Sequence, residues 1–167
     1  MEKDRFLALV VENKGLIYKV CRAYCRNPED RDDLAQEIVV QLWKSSAKYD
    51  ENQRLSTWIY RVALNVAISN YRREQRRERM TDALELFWLE QGETREQSRS
   101  LDDENIEHLY RFINELNELN KALMLLYLDN TPQAEIADIL GISKTNVATK
   151  ISRIKRALRN RFESLST

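Results

Sequence analysis

Thr131-Pro132-Gln133-Ala134-Glu135-Ile136-Ala137-Asp138-Ile139-Leu140-Gly141-Ile142-Ser143-Lys144-Thr145-Asn146-Val147 is the stretch on which the fold turns. Ile136, Ala137 and Leu140 recur at helical spacing and point inward, and small Ala137 admits a second helix close by. Thr131 stands at an N-cap position ahead of Pro132, with Glu135 placed to reach back toward it. Gly141 supplies the tight turn, Ile142 plugs the core beneath it, and Ser143 N-caps the next helix. This spacing predicts a helix-turn-helix that docks on duplex DNA. In the second helix Val147, Ile151, Ile154 and Leu158 share a buried face. The opposite face carries Thr145, Ala148, Thr149, Ser152, Arg153 and Arg156, where such a helix meets the major groove. Lys144, Asn146 and Lys150 complete the predicted DNA-binding set, with Lys155 alongside to reach phosphates. Arg153 suits a bidentate contact to guanine, and Thr149 a thymine methyl or an acceptor.

Outward from this motif the 167 residues read as helix almost throughout. Phe6, Leu9, Val10, Leu16, Ile17, Val20, Cys21 and Tyr24 form one apolar-periodic run, and Pro28 opens the next helix. Leu34, Ile38, Leu42 and Trp43 mark its face. Residues 48–53 read as a loop, and Leu55, Trp58, Ile59, Val62, Val66 and Ile68 begin a third helix with an Arg-rich tail. Only 3 Gly and 2 Pro argue against hairpin-rich folds. The predicted class is all-α: two small helical domains, 1–80 and 105–167, joined by an acidic linker at 81–104, the C-terminal one holding the helix-turn-helix. The polar stretch 91–100 marks the boundary, and Leu84-Glu85-Leu86-Phe87-Trp88-Leu89 reads as a short helix or docking segment.

The net charge is zero, which at first argues against a polyanionic partner, but its distribution reverses that. Residues 54–79 carry a net +5, residues 82–118 a net −8 and residues 144–161 a net +7. Two basic helices flanking an acidic connector suit phosphate binding with counterion release. Cys21 and Cys25, four apart, are poorly placed for a disulfide, and His108 is too remote to complete a zinc set. Reduced thiols against a helix core are expected, with no metal or other cofactor. No apolar run reaches the length of a membrane span and no signal peptide opens the chain, so the expected location is cytoplasmic. Nothing in the sequence assembles a catalytic cluster, and no enzyme activity is expected.

The first half narrows the reading. Asp33-Leu34-Ala35-Gln36-Glu37-Ile38-Val39-Val40-Gln41-Leu42-Trp43 is followed by a polar loop and then by Ser56-Thr57-Trp58-Ile59-Tyr60-Arg61-Val62-Ala63-Leu64-Asn65-Val66-Ala67. With the C-terminal motif, these segments resemble the extracytoplasmic-function sigma factors, compact members of the sigma-70 family, over nearly the whole chain. The resemblance implies a sigma factor that binds core RNA polymerase, directs it to −10 and −35 promoter elements and promotes melting. It implies polymerase contacts from Asp33, Gln36, Glu37, Leu42 and Trp43 to the β-prime coiled coil, and from the C-terminal domain to the β flap. It implies −10 contacts from Lys48, Asn52, Arg54, Trp58, Arg61, Asn65, Arg72, Arg73 and Arg76. The recognition helix would read the −35 element, and an anti-sigma factor would hold the protein, at a membrane in some cases but without insertion. An acidic linker could lie in a basic polymerase channel as a nucleic-acid mimic. Physically, a flipped base needs a small pocket with hydrogen-bonding groups, and Asn65 offers donor and acceptor.

Other readings stay open at this level. Helical spacing with Ile59 and Val62 suits Trp58 to the core, Asn65 to a satisfied buried amide, and Trp43 to internal packing. Leu55, Val39, Leu116-Asn117 and Asn146-Val147-Ala148 depart from the family pattern, so its promoter consensus does not carry over. An ordinary helix-turn-helix regulator on an operator, or a helical adaptor using its basic faces, would also explain parts of the chain.

Overall fold

The computed structural model describes residues 1–85 and 101–166, with eight α-helices and no strand among them. The stretch 91–100 and most of the apolar cluster 84–89 lie outside the described residues.

The first apolar run is two helices. Helix α1 (Lys3–Glu12) buries Phe6 and Leu9, and α2 (Lys14–Tyr24) buries Ile17, Val20, Cys21, Ala23 and Tyr24. Asn13 separates them. Its backbone N–H and its side-chain Nδ2 both donate to the Leu9 carbonyl, at 3.1 and 2.8 Å, which closes α1 and frees the chain to turn. Helix α3 (Pro28–Ser45) starts as its sequence dictates: the Asn27 side chain accepts from the Glu29 N–H, Pro28 fills the first turn, and Glu29 and Asp30 face the positive end of the dipole. Leu34, Ile38 and Leu42 fall four apart and are buried. A 3-10 turn at Ser46–Lys48 leads into α4 (Leu55–Glu85), a 31-residue helix that carries the basic tail in one continuous piece.

The second half comprises α5 (Leu101–Glu115), α6 (Glu118–Leu128), α7 (Gln133–Leu140) and α8 (Lys144–Leu165). Asn117 caps α6 by accepting from the Asn120 N–H at 2.9 Å. Asn130 takes a left-handed conformation (φ 55°) in the sharp turn from α6 to α7, which asparagine tolerates better than most residues.

Helices α2, α3 and α4 pack on one another, as do α6, α7 and α8. The two units also meet. Helix α2 lies against α5 and α6, and α4 lies against α6 and α7, so one apolar cluster runs from Phe6 to Ile154. Each fully buried Leu or Ile in it contributes about 1.5–3 kcal/mol over leaving it exposed.

The cysteines are both buried and unpaired. Burial pushes the Cys21 thiol up to about 12, with Cys25 adding to it, and Cys25 up to about 11, with Asp30 adding to it. Cys25 is the C-cap of α2, outside the helix proper.

Candidate nucleic-acid interface

The helix-turn-helix forms from local signals. Gly141 adopts the left-handed conformation (φ 66°) that ends α7, and the Ile142 N–H bonds back to the Ala137 carbonyl at 3.2 Å. Ser143 caps α8 by accepting from the Asn146 N–H at 3.1 Å. Ile136 and Ile139 are buried, with Ala137, Leu140 and Ile142 half-buried against the same core. One expectation fails. Pro132, not Thr131, is the N-cap of α7, and no side chain caps that end. Glu135 does not reach back to Thr131. It accepts from Thr57 Oγ1 and from Arg54 at 3.5 Å, both in the first half of the chain.

Val147, Ile151 and Ile154 anchor α8 on α6 and α7, and Leu158 is half-buried beside them. Lys144, Thr145, Asn146, Thr149, Ser152, Arg153 and Arg156 are exposed, while Ala148 and Lys150 are half-buried. Lys155 lies 5.3 Å from the centre of the Tyr127 ring, a cation–π contact that steers its stem along the domain.

Of the residues expected at the −10 element, Lys48, Asn52, Arg54, Asn65, Arg72, Arg73 and Arg76 are exposed and Arg61 is half-buried. Asn65 is therefore no buried amide. Trp58 is 7% exposed and packs its ring 4.8 Å from that of Tyr49, which makes it core in this conformation and not a stacking platform. Tyr60 is buried too, and its hydroxyl donates to Asp129.

The residues expected to touch polymerase divide among different surroundings. Leu42 is 0% exposed, so it supports α3 from inside and offers no contact. Trp43 is 44% exposed, edge-on to Phe6 at 4.9 Å. Asp33 and Glu37 face a polar cleft of about 500 Å³ formed mostly by the first half, with Asn114 and Lys121 of the second at its edge, and there Glu37 pairs with Arg73 at 3.6 Å. Gln36 lies on another side, in an open groove of about 510 Å³ walled by Val10, Ile17, Tyr18, Ala35, Val39 and Val40. Tyr18 (55% exposed) and Val40 (51%) were not singled out from sequence. Their signal was available: both are large apolar residues off the buried stripes of α2 and α3.

Between the halves, acids of the second meet donors of the first. Glu107 accepts from Arg22 at 3.1 Å, Glu118 from Arg72 at 3.0 Å, and Asp129 from Lys19 at 2.7 Å as well as from Tyr60. The Glu118 carboxyl is held below its ordinary range by its own backbone N–H and by Arg72. For Asp129 burial acts upward, but hydrogen bonds from Lys19 and Tyr60 outweigh it and the net shift is downward. Tyr24 Oη donates to the Glu118 carbonyl at 2.6 Å. Lys121, 2% exposed, donates to the Ala23 carbonyl at 3.0 Å and the Asn114 carbonyl at 3.2 Å. Its ammonium sits 4.7 Å from the Tyr71 ring centre and 5.6 Å from that of Tyr24. Burial, with nearby Arg26, pulls it down to about 8.

A helix-turn-helix whose second helix exposes a polar face, together with the Arg-rich α4, has the form of a DNA-binding protein. Residues 9–77 match the family described as Sigma-70 region 2, and residues 106–158 match Sigma-70, region 4. The chain is 27% identical to the ECF RNA polymerase sigma factor SigW of Bacillus subtilis, covering 98% of this chain and 92% of the relative. It is 28% identical to the ECF RNA polymerase sigma-E factor of Escherichia coli, covering 98% and 90%. In structure it resembles RpoE of Bartonella quintana, solved with the anti-sigma factor NepR (TM-score 0.74, 16% identity, 97% and 98% covered). It also resembles CnrH, solved with the cytosolic domain of CnrY (TM-score 0.69, 19% identity, 98% and 90% covered). The chain belongs to the sigma-70 family as an extracytoplasmic-function sigma factor, with its region 2 and region 4 in the family order. It is a promoter-directing subunit of RNA polymerase, and the operator-bound regulator and the adaptor are set aside. Among the described residues no helix is long and apolar enough to cross a membrane.

Proposed function

We propose that three surfaces divide the work of initiation. The exposed face of α8, with Thr145, Thr149, Ser152, Arg153 and Arg156 opposite the Val147–Ile151–Ile154 anchor, reads the −35 element in the major groove. That face is the observation that carries the reading: its polar side chains have no packing role in the fold. Lys144, Asn146 and Lys150 position it on the backbone, with Ala148 leaving room for a close approach.

On α4 and the loop before it, Lys48, Asn52, Arg54, Arg61, Arg72, Arg73 and Arg76 follow the −10 phosphates, and Asn65 offers its amide to a base taken out of the stack. Trp58 holds this surface from beneath. The groove of Gln36, Val39, Val40 and Tyr18 seats a helix of the polymerase, the β-prime coiled coil by family likeness. Trp43 lies one turn beyond Val39 on the same helix, Asp33 and Glu37 extend the contact along another side of α3, and the second half meets the β flap. An anti-sigma factor is a further partner, as in the RpoE–NepR complex that this fold resembles. The protein works in the cytoplasm and performs no covalent step.

Purified core enzyme with this protein on a genomic template library yields specific start sites that core alone does not give. If promoter selection is unchanged by its addition, the proposal fails. Asn65→Ala lowers permanganate reactivity of the bubble more than it lowers closed-complex binding. Equal losses in both steps would remove Asn65 from base capture.

A further inference from the structure

The loop that leads into α4 is held from within. Tyr49 closes the 3-10 turn, and its ring lies 4.8 Å from that of buried Trp58. Its hydroxyl reaches across the loop and donates to the Gln53 carbonyl at 2.9 Å. The Gln53 N–H donates to the Asp50 carbonyl at 3.0 Å, which makes 50–53 a tight turn. Inside that turn Asp50 Oδ1 accepts twice, from the Asn52 N–H and from Asn52 Nδ2, both at 2.9 Å. Glu51, the loop's other acid, pairs with Arg5 of α1 at 3.1 Å. Asp50, Asn52 and Arg54 are all exposed, so water could satisfy the same groups. The bonds therefore order a surface and do not rescue buried polar atoms.

Asp50 also sets what Asn52 can offer. An ionised carboxylate only accepts, so the atom of Asn52 that faces it is the amide nitrogen, and the carbonyl oxygen is left as the outward acceptor. A phosphate brought to that nitrogen would meet the like charge of Asp50. A base edge with an N–H donor, brought to the oxygen, meets an acceptor already aimed. We propose that Tyr49 and Asp50 are positioning residues of the −10 interface: Tyr49 braces the loop on Trp58, and Asp50 presents the Asn52 carbonyl to an unpaired base that carries an exocyclic amino group. Cytosine, adenine and guanine carry one and thymine does not. This rests on the −10 assignment given above and moves Asn52 from the phosphates to a base edge. Lys48 and Arg54, at the two ends of the loop, keep the phosphates.

The test is promoter selection by the full chain with core enzyme, on a template library randomised over the −10 element. Wild type disfavours thymine at one position, and Asn52→Ala weakens that preference about fivefold, the worth of one hydrogen bond. Asp50→Ala relaxes the same position to the same extent. Asp50→Asn, whose side-chain oxygen still accepts both bonds, retains the preference. Adding Asp50→Ala to Asn52→Ala changes nothing further, because Asp50 acts through Asn52. Tyr49→Phe keeps the ring on Trp58, loses the bond to Gln53 and relaxes that position partway. If Asn52→Ala relaxes a position that Asp50→Ala leaves intact, or if Asp50→Ala changes the use of all promoters alike, the proposal is overturned and the −10 assignment stands. If Asn52→Ala relaxes no position while wild type still selects promoters, the −10 role of Asn52 and the proposal fall together. A second arm needs no DNA: in amide hydrogen exchange followed by NMR, Asp50→Ala speeds exchange of the Asn52 N–H about fivefold and Asp50→Asn does not. Unchanged exchange in Asp50→Ala overturns the hold of Asp50 on Asn52. If wild type directs no specific transcript, the −10 assignment has failed instead, and the exchange arm judges the loop alone.

Discussion

Arg153 stands on the solvent side of α8, where its guanidinium has no role in holding the fold. Its removal should therefore leave stability untouched and be felt only at DNA. Arg153→Ala costs about 1–3 kcal/mol at one −35 base pair if the side chain reads guanine. A promoter-library profile checks this: preference relaxes at one position, against the uniform loss that a phosphate contact would give. Ser143 and Thr131 make a second residue-scale comparison, because both looked like N-caps in sequence. Only Ser143 accepts a backbone N–H. Ser143→Ala thus costs about 1 kcal/mol in urea unfolding, and Thr131→Ala shifts the midpoint far less.

At the scale of elements, α3 shows how much a sequence discloses. Its start needed no tertiary information, since Asn27, Pro28 and the acidic first turn act within a few residues of one another. Its buried stripe followed from spacing alone, and Leu34, Ile38 and Leu42 at four-residue intervals already placed Leu42 inside. The family pattern made Leu42 a polymerase contact as well, and its full burial in the structure places it inside instead. The helix-turn-helix was legible for the same local reason, in Gly141 and Ser143. Glu135 was not, because its partners lie 78 and 81 residues earlier in the chain. A glutamate four residues after a threonine looks like a local cap whatever distant group claims it. The groove between α2 and α3 was half legible, as apolar residues left over once each buried stripe was assigned. Placing a carboxylate there tests its use: Val40→Asp should abolish co-purification with core polymerase. Because Val40 is already half exposed, the melting temperature should move little. Unaltered core binding would remove the groove from the interface.

The whole molecule is governed by charges that belong to the contact between its halves, and their titration gives that contact a pH dependence of definite sign. Asp129 and Glu118 have depressed carboxyl groups in the folded protein. The contact is therefore favoured wherever they are ionised, above their ordinary values near 4, and that contribution is lost as pH falls through the depressed values. Lys121 works in the other direction. Buried among the Ala23 and Asn114 carbonyls and the Tyr24 and Tyr71 rings, with Arg26 and Glu118 nearby, it is pulled from 10.5 to about 8. The folded protein then binds fewer protons than the unfolded chain between about 8 and 10.5, so stability rises with pH through that window. Burial raises the Tyr24 and Tyr60 hydroxyls, the latter helped by Asp129, so the folded protein keeps those protons longer and loses stability once the unfolded chain ionises above 10. The expected profile has a compact, most stable protein near pH 9–10, a shallow decline toward neutrality and expansion below pH 4. Thermal melting with scattering across this range checks it. In Lys121→Met the rise between pH 8 and 10 disappears while the acid limb remains, because the acid limb belongs to Asp129 and Glu118. A rise that survived the substitution would place the titrating group elsewhere and free Lys121 from any part in the pH dependence.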